Sequence, residues 1–431
     1  MYDQKNNLSF KLRKKNLFLL FFWLLSIAIV IFFGSEIPRI SSTVAGCGLI
    51  LLGLKTKKPV VVLYSVFASS YFFYLSPFFL FDIPFATREN YLDYETSVIN
   101  MQCLILFSLT FFIFLEVPSE EYIDLPNKLE RKNNFPIFMF CISAIIFLGS
   151  LMVTMKGTAY GVDYREVTEA RYAFIDYSII FLFLSFMFSD KKYNFIILMA
   201  GATYIFICLI YGYRLRMIQM GLIVFFLFFE KKINTKILFI LLVFIFFGLK
   251  LVASMRGLDK AIDFQSLLGI SGGVTISNQG GVFLNANMYI GLVNDGFITI
   301  QQRISTFFGN IVAIFYSQSA LPASLNLSKL ASQYFSIPGG GLISGYIYVW
   351  AGLYSSIPVG LFIAYLYSKL LLNKRPSVYY VAYMVVIISV FPRWFAYSPI
   401  HFFKMSFYCV FLLFVFNLFD RFLCQVKKIE I

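Results

Sequence analysis

Uncharged apolar runs recur along the whole of this chain, each roughly 18–20 residues long, the length an α-helix needs to cross the hydrocarbon core of a bilayer. No soluble fold can bury so many such segments. The composition agrees: 59% of the 431 residues are hydrophobic and 13% are charged, where soluble domains carry about 45–50% and about 25%. The 54 Phe and 28 Tyr need surroundings other than water. Disordered, collagen-like and disulfide-stapled chains are excluded by the same figures. The expected class is an all-α polytopic membrane protein.

Such runs amount to about twelve spans, at 17–33, 38–54, 59–80, 98–115, 136–154, 173–189, 194–211, 217–229, 237–254, 341–371, 377–391 and 400–419. The stretch 341–371 is long for one crossing, and Gly352 or Pro358 can break it into two parts. The stretch 217–229 is short and is expected to borrow residues at its ends. A basic region precedes Phe21–Phe33 and no small-residue cleavage site follows it, so it reads as an uncleaved first span. Three regions result: transmembrane helices 1–9 in 1–254, one large loop at 255–340, and transmembrane helices 10–12 in 341–431.

An even number of spans puts both termini on one face. Segments on that face carry 22 cations and 10 acids, and the opposite face carries 14 and 12. Short positive loops mark the cytoplasmic side, so both termini are expected there. The net charge of +14 is then largely a topology signal, and nucleic acid needs no place as a partner. The six Cys are isolated and the single histidine is His401, which supports neither a disulfide framework nor a zinc site.

The two faces differ in the kind of cation. The cytoplasmic set is 18 Lys and 4 Arg, the external set 5 Lys and 9 Arg. Orientation needs only positive charge, whereas arginine offers a planar fork that grips phosphate or carboxylate in two places and stays charged when partly buried. Pairing with external acids or snorkelling at helix ends is the alternative for any single arginine.

Arg214 and Arg216 stand in the short external turn YGYRLRM and point to nearly opposite sides of a helix. Arg214 is expected to face an internal cavity while the other snorkels. Arg256 follows a span in MRG, and Arg303 lies in the large loop. Arg393 sits between Pro392 and Trp394, with His401 entering the last span. Asp176 lies one turn inside an apolar span, where an ionisable group is functional by default; Arg171 or a nearby tyrosine could instead satisfy it.

Residues 155–172 place Asp163, Glu166 and Glu169 at helical spacing, with an Arg165–Glu169 pair, and read as a short amphipathic helix. The loop 255–340 is expected to fold into short helices against the membrane. Its interleaved glycines, hydroxyls and amides, among them Asn285 and Asn287, suit either a carbohydrate surface or a flexible lid. Gly339-Gly340-Gly341 is no dinucleotide fingerprint, since no strand precedes it.

Taken together, the Gly212-Tyr213-Arg214 turn, Arg256-Gly257 opening the loop, and the run Pro338-Gly339-Gly340-Gly341 to Gly345-Tyr346 and Trp350-Ala351-Gly352 resemble the Wzy-type O-antigen polymerases, which join oligosaccharide repeat units. The resemblance covers most of the chain as topology and implies a GT-C-like fold in a bacterial inner membrane, with one large periplasmic loop and a periplasmic active face. It implies a glycosyltransferase that needs no metal or other cofactor. Its substrate would be an undecaprenyl-diphosphate-linked oligosaccharide within membrane lipid, and its partner a chain-length regulator.

Breaking a sugar–diphosphate bond develops negative charge on the leaving group, which fixed guanidinium groups stabilise. Arg214, Arg256 and Arg393, with Arg216 and Arg303, are the candidate diphosphate ligands. Asp176 and His401 are the candidate proton acceptors for the acceptor hydroxyl, with Asp263 or Asp295 available from the loop. A flippase for the lipid-linked sugar, or an O-antigen ligase, is the alternative. The halves 1–215 and 216–431 show no repeat of the kind transporters carry.

Overall fold

The computed structural model describes residues 38–81, 94–116, 129, 131–154, 173–210, 213–230, 232–234, 270–271, 274–275, 278–335, 340–372 and 376–429, with scattered positions in 21–28 and 237–242. Among them, regular structure is helical apart from one antiparallel pair of two-residue strands, Ile270–Ser271 with Val274–Thr275. Among the described residues, four helices are long and apolar enough to cross a membrane: Tyr94–Phe114, Phe135–Val153, Lys191–Ile210 and Ile400–Phe422. Shorter apolar helices accompany them at Ser41–Thr56, Pro59–Phe73, Phe174–Met187, Leu215–Phe229 and Val378–Ser389. This is the make-up of a helical membrane protein. The expected spans 17–33 and 237–254 and the helix expected at 155–172 lie largely or wholly outside the described residues.

The helices α1 (Pro38–Thr56) and α2 (Pro59–Phe81) form a hairpin. At the close approach Gly53 leaves room for the Ser65 side chain. The centre of the bundle is α3 (Tyr94–Phe114). Of its apolar stretch 78% is buried, against 22% for Lys191–Ile210, which therefore lies at the periphery. Around α3 pack α1, α8 (Asn278–Asn294), α11 (Ile343–Ala351) and α12 (Ser356–Leu372). Trp23, from the first expected span, donates from its indole Nε1 to Thr110 Oγ1 at 3.0 Å on the same helix.

A second group contains α4 (Phe135–Thr154), α5 (Ser178–Met187), α6 (Asn194–Ile210), α7 (Arg214–Val224), α13 (Val378–Ser389) and α15 (Ile400–Ile429). α7 begins at Arg214 and runs on through a wider turn at Phe225–Phe229, which supplies the length that 217–229 lacked. The short α14 (Phe391–Ala396) follows α13 and is wedged in by Phe391, Trp394 and Phe395, all buried.

The long stretch 341–371 breaks at Gly352 rather than at Pro358. Gly352 takes φ 84°, ψ 178°, a region open in practice only to glycine. Its N–H caps α11 by donating to the Tyr348 carbonyl at 2.8 Å. Pro358 sits in the first turn of α12, where no intrahelical donor is lost.

The region 278–335 contains more than surface helices. α8 is sunk into the bundle, with Phe283, Ala286, Tyr289 and Ile290 fully buried. Its close neighbour is α11: a Cβ on Gly345 would meet Ala286 at 2.8 Å, and one on Gly341 would meet the Tyr289 ring at 2.8 Å. The glycine-rich run before α11 is thus a packing device for α8. Of the polar residues of α8, Asn287 bonds to α3 and Asn285 to the segment before α11. Asn287 Nδ2 donates to Ser97 Oγ at 2.7 Å, and Asn100 Nδ2 donates to Asn287 Oδ1 at 2.7 Å. Ser344 Oγ completes the chain by donating to Asn100 Oδ1 at 2.5 Å. Asn285 Nδ2 donates to the Gly340 carbonyl at 3.0 Å. These amides hold helices together in an interior that gives them no water, so they do not form a free carbohydrate surface. After α8, Gly296 at φ 76° turns the chain into α9 (Ile300–Val312), which Thr299 and Gln302 start with a capping box. The short α10 (Leu327–Ala331) follows, begun by the Asn326 side chain.

Candidate functional site

Asp176 stands on the tight turn Ala173–Tyr177 that leads into α5. The turn is fixed from behind by Tyr204, whose hydroxyl donates to the Ile175 carbonyl at 3.2 Å. Two arginines from distant parts of the chain meet the carboxylate. Arg216 Nε donates to Oδ1 at 2.7 Å, and Arg393 Nη1 is paired with Oδ2. The side chains are 5% exposed for Asp176, 12% for Arg216 and 21% for Arg393. The cluster is therefore nearly withdrawn from solvent, with Arg393 the member most open to a ligand.

Each arginine is placed by its local fold. Arg216 is in the first turn of α7, and its guanidinium lies 4.8 Å from the centre of the Tyr213 ring. Arg393 projects from α14, held by Trp394, whose Nε1 donates to the Ile387 carbonyl at 3.1 Å. Asp176 can balance one of the two positive charges. Among the described residues, no second carboxylate forms an ion pair with either arginine. One unit of positive charge is thus left in a nearly dry setting, where it attracts an anion far more strongly than it would in water.

Two further side chains belong to this end of the bundle. His401, at the start of α15, lies within electrostatic reach of both Asp176 and Arg393, and its buried Nδ1 has no hydrogen-bond partner among the described residues. Gln219 follows Arg216 by three residues, which puts both on one face of α7. It is fully buried, yet among the described residues neither its amide nitrogen nor its oxygen has a partner. Buried polar groups are normally bonded, so this amide, one turn beyond the arginine–aspartate contact along α7, is a candidate member of the site.

Of the candidates named from sequence, the structure brings Asp176, Arg216, Arg393 and His401 together. Within the YGYRLRM turn, the inward arginine in contact with Asp176 is Arg216, where Arg214 was expected to face the interior; the Arg214 side chain lies outside the described residues. Arg216, in the first turn of α7, falls on the face that meets Asp176. Arg171, a possible partner for Asp176, also lies outside the described residues, as do Arg256 and Asp263.

Arg303 is engaged elsewhere. Its Nε donates to the Val349 carbonyl and its Nη2 approaches the Tyr348 carbonyl, so it caps the C-terminus of α11. That satisfies orphan carbonyls at a helix end and leaves little of the fork for a diphosphate. Asp295 lies on the exposed turn after α8. Asp176 itself is an anchor for two guanidiniums, with both oxygens engaged, rather than an open proton acceptor. Sequence reasoning passed over Gln219, although its i+3 spacing from Arg216 was readable.

Among the described residues, no group of three or more His, Cys, Asp or Glu side chains is placed to hold a metal ion. Comparison with protein-family models, with curated proteins and with solved structures finds no match. The resemblance drawn above therefore stands on the residues of this chain alone.

Proposed function

We propose that the protein is an O-antigen polymerase, a glycosyltransferase that joins undecaprenyl-diphosphate-linked repeat units at the periplasmic face of a bacterial inner membrane. The observation that supports this reading best is the buried Asp176 shared by Arg216 and Arg393, with one positive charge left over. On this reading the chain has about twelve spans, a GT-C-like arrangement and cytoplasmic termini, and it works with a chain-length regulator.

The reaction breaks the bond between the anomeric carbon of the donor sugar and the diphosphate oxygen, and forms a bond from that carbon to an acceptor hydroxyl oxygen. The diphosphate leaves with the electron pair of the broken bond. Arg393, the more open arginine, meets that developing charge, while Asp176 and Arg216 hold its guanidinium in place, so little reorganisation is needed at the moment of reaction. The hydroxyl proton passes to a base. His401 Nδ1, which has no hydrogen-bond partner among the described residues, is free to take it when the ring is protonated at Nε2.

The test is the length ladder of surface polysaccharide in cells lacking the gene and complemented with variants. A polymerase leaves lipid core capped with a single repeat unit on deletion, and the ladder returns with wild type but not with Arg393→Ala or Arg216→Ala. Loss of every capped species would point to a flippase or ligase, and free lipid-linked polymer at the periplasmic face would select the ligase. An unchanged ladder would end the reading.

A further inference from the structure

The helix α9 (Ile300–Val312) is amphipathic, but it is turned the wrong way round for water. Its outward face carries Ile300 at 72% exposure, Ile304 at 52%, Phe308 at 56% and Ile311 at 45%, and Phe315 just beyond it is 60% exposed. These positions recur at the three- and four-residue steps that make one stripe of a helix. The inward face carries the polar side: Arg303 bonded to the end of α11, Thr306 fully buried, and Asn310 donating to the Thr306 carbonyl at 2.9 Å. Gly309 presses against the Leu325 backbone, whose carbonyl occupies the place a Cβ would take. A helix against a soluble core does the reverse, with its apolar stripe inward.

A second set of contacts says what the stripe faces. Lys404, in the first turn of α15, donates from Nζ to the carbonyls of Ala313 and Tyr316 at 3.0 and 2.7 Å, and so ties the end of α9 to the entry of a membrane-crossing helix. The Phe315 ring meets Phe407 of α15 edge-on at 5.3 Å. From Phe407 the outward residues continue down α15 as Phe411, Phe414 and Leu418, each between 40% and 51% exposed. The apolar stripe of α9 is therefore continuous with the outward flank of a helix long and apolar enough to cross a membrane.

We propose that α9 lies in the membrane–water interface with its Ile304–Phe308–Ile311 face among lipid acyl chains, and that the bilayer is the partner of this surface. Apolar faces of amphipathic helices sink about 5–10 Å into the headgroup–acyl boundary. Through Lys404, one turn beyond His401, the helix fixes the depth at which the arginine–aspartate cluster meets the lipid headgroups. It acts as a float that keeps the site level with lipid-borne phosphate.

The test uses the full chain in lipid nanodiscs, with Phe308→Trp read as the difference from the wild-type emission of its three tryptophans. Dibromophosphatidylcholine in the disc is expected to quench the added tryptophan about twofold or more while aqueous iodide leaves it nearly untouched. Ile304→Trp, one turn earlier, is expected to behave alike and guards against a local folding defect at Phe308. Quenching by iodide without quenching by brominated lipid would place the face in water and overturn the proposal. Protection from both quenchers, with a dimer in mass photometry, would give the face to a second copy and overturn it equally. The readout is optical and takes no glycan length, so its failure leaves the proposed reaction untouched, and the converse also holds.

Discussion

Arg393 reaches Asp176 on the carboxylate oxygen opposite the one that Arg216 holds, so a single carboxylate joins α14 to α7. Removing the charge at Asp176 leaves two guanidiniums facing each other with almost no water. Breaking a buried ion pair by deleting one partner costs about 3–5 kcal/mol. Asp176→Asn is expected to lower the unfolding temperature in detergent and to abolish the long glycan ladder. Asp176→Asn combined with Arg216→Gln should recover much of the stability and none of the ladder. Equal stability of the single and double variants would mean that the pair is not coupled.

Arg393→Lys keeps the charge and loses the fork. Lysine cannot hold Asp176 and offer a second planar edge to an anion. The variant is expected to fold like wild type by thermal unfolding, yet to shorten the ladder severely. Full ladder length in Arg393→Lys would reduce the role of this residue to charge alone.

Gln219 separates site from scaffold. An unpaired buried amide costs about 1–3 kcal/mol, and Gln219→Leu has nearly the same size without it. The variant is therefore expected to be more stable than wild type and less active, the usual sign of a group kept for function. Thermal unfolding and ladder length, measured on one preparation and one strain, check both halves. Gain of stability with an undiminished ladder would make Gln219 a packing defect.

Arg303→Gln should show the opposite pattern. It loses the cap on α11, which costs about 1 kcal/mol of stability, while the ladder keeps its length. A collapsed ladder with unchanged stability would return Arg303 to the reaction.

Gly352→Ala puts a Cβ at φ 84°, at a cost of about 1–3 kcal/mol. Pro358→Ala, in the first turn of α12, should be close to neutral. A thermal shift for both variants, or for neither, would contradict the placement of the break.

Much of this organisation was readable from residue order. Apolar runs located α1 to α6 and α13 to within a few residues, and the start of α15, because membrane helices announce themselves by length and by lack of charge. The depth of Asp176 and the arginine bias drew attention to Asp176, Arg216 and Arg393, which the structure brings together. What could not be read was that Arg216 turns inward to Asp176. Arg214 and Arg216 differ by the phase at which α7 begins, and that phase depends on packing against α5, α13 and α14. The burial of α8 was hidden for a related reason. Asn285 and Asn287 look solvent-facing until Ser97, Asn100 and the Gly340 carbonyl are brought to them by helices far away in sequence. Arg303 likewise looked like a free cation because its partners are backbone carbonyls, which no pattern of side chains displays.

The chain Ser97–Asn287–Asn100–Ser344 also sets an order of assembly. Asn100 meets Asn287 over a separation of 187 residues and Ser344 over 244. A ribosome must therefore have passed position 344 before the centre of the bundle can close. Until then α3 holds a carboxamide inside the bilayer with no permanent partner, and α8, with its three asparagines between 285 and 294, is too polar to wait there alone. The middle of this protein is finished late, by a helix that can dock only after most of the chain has been made.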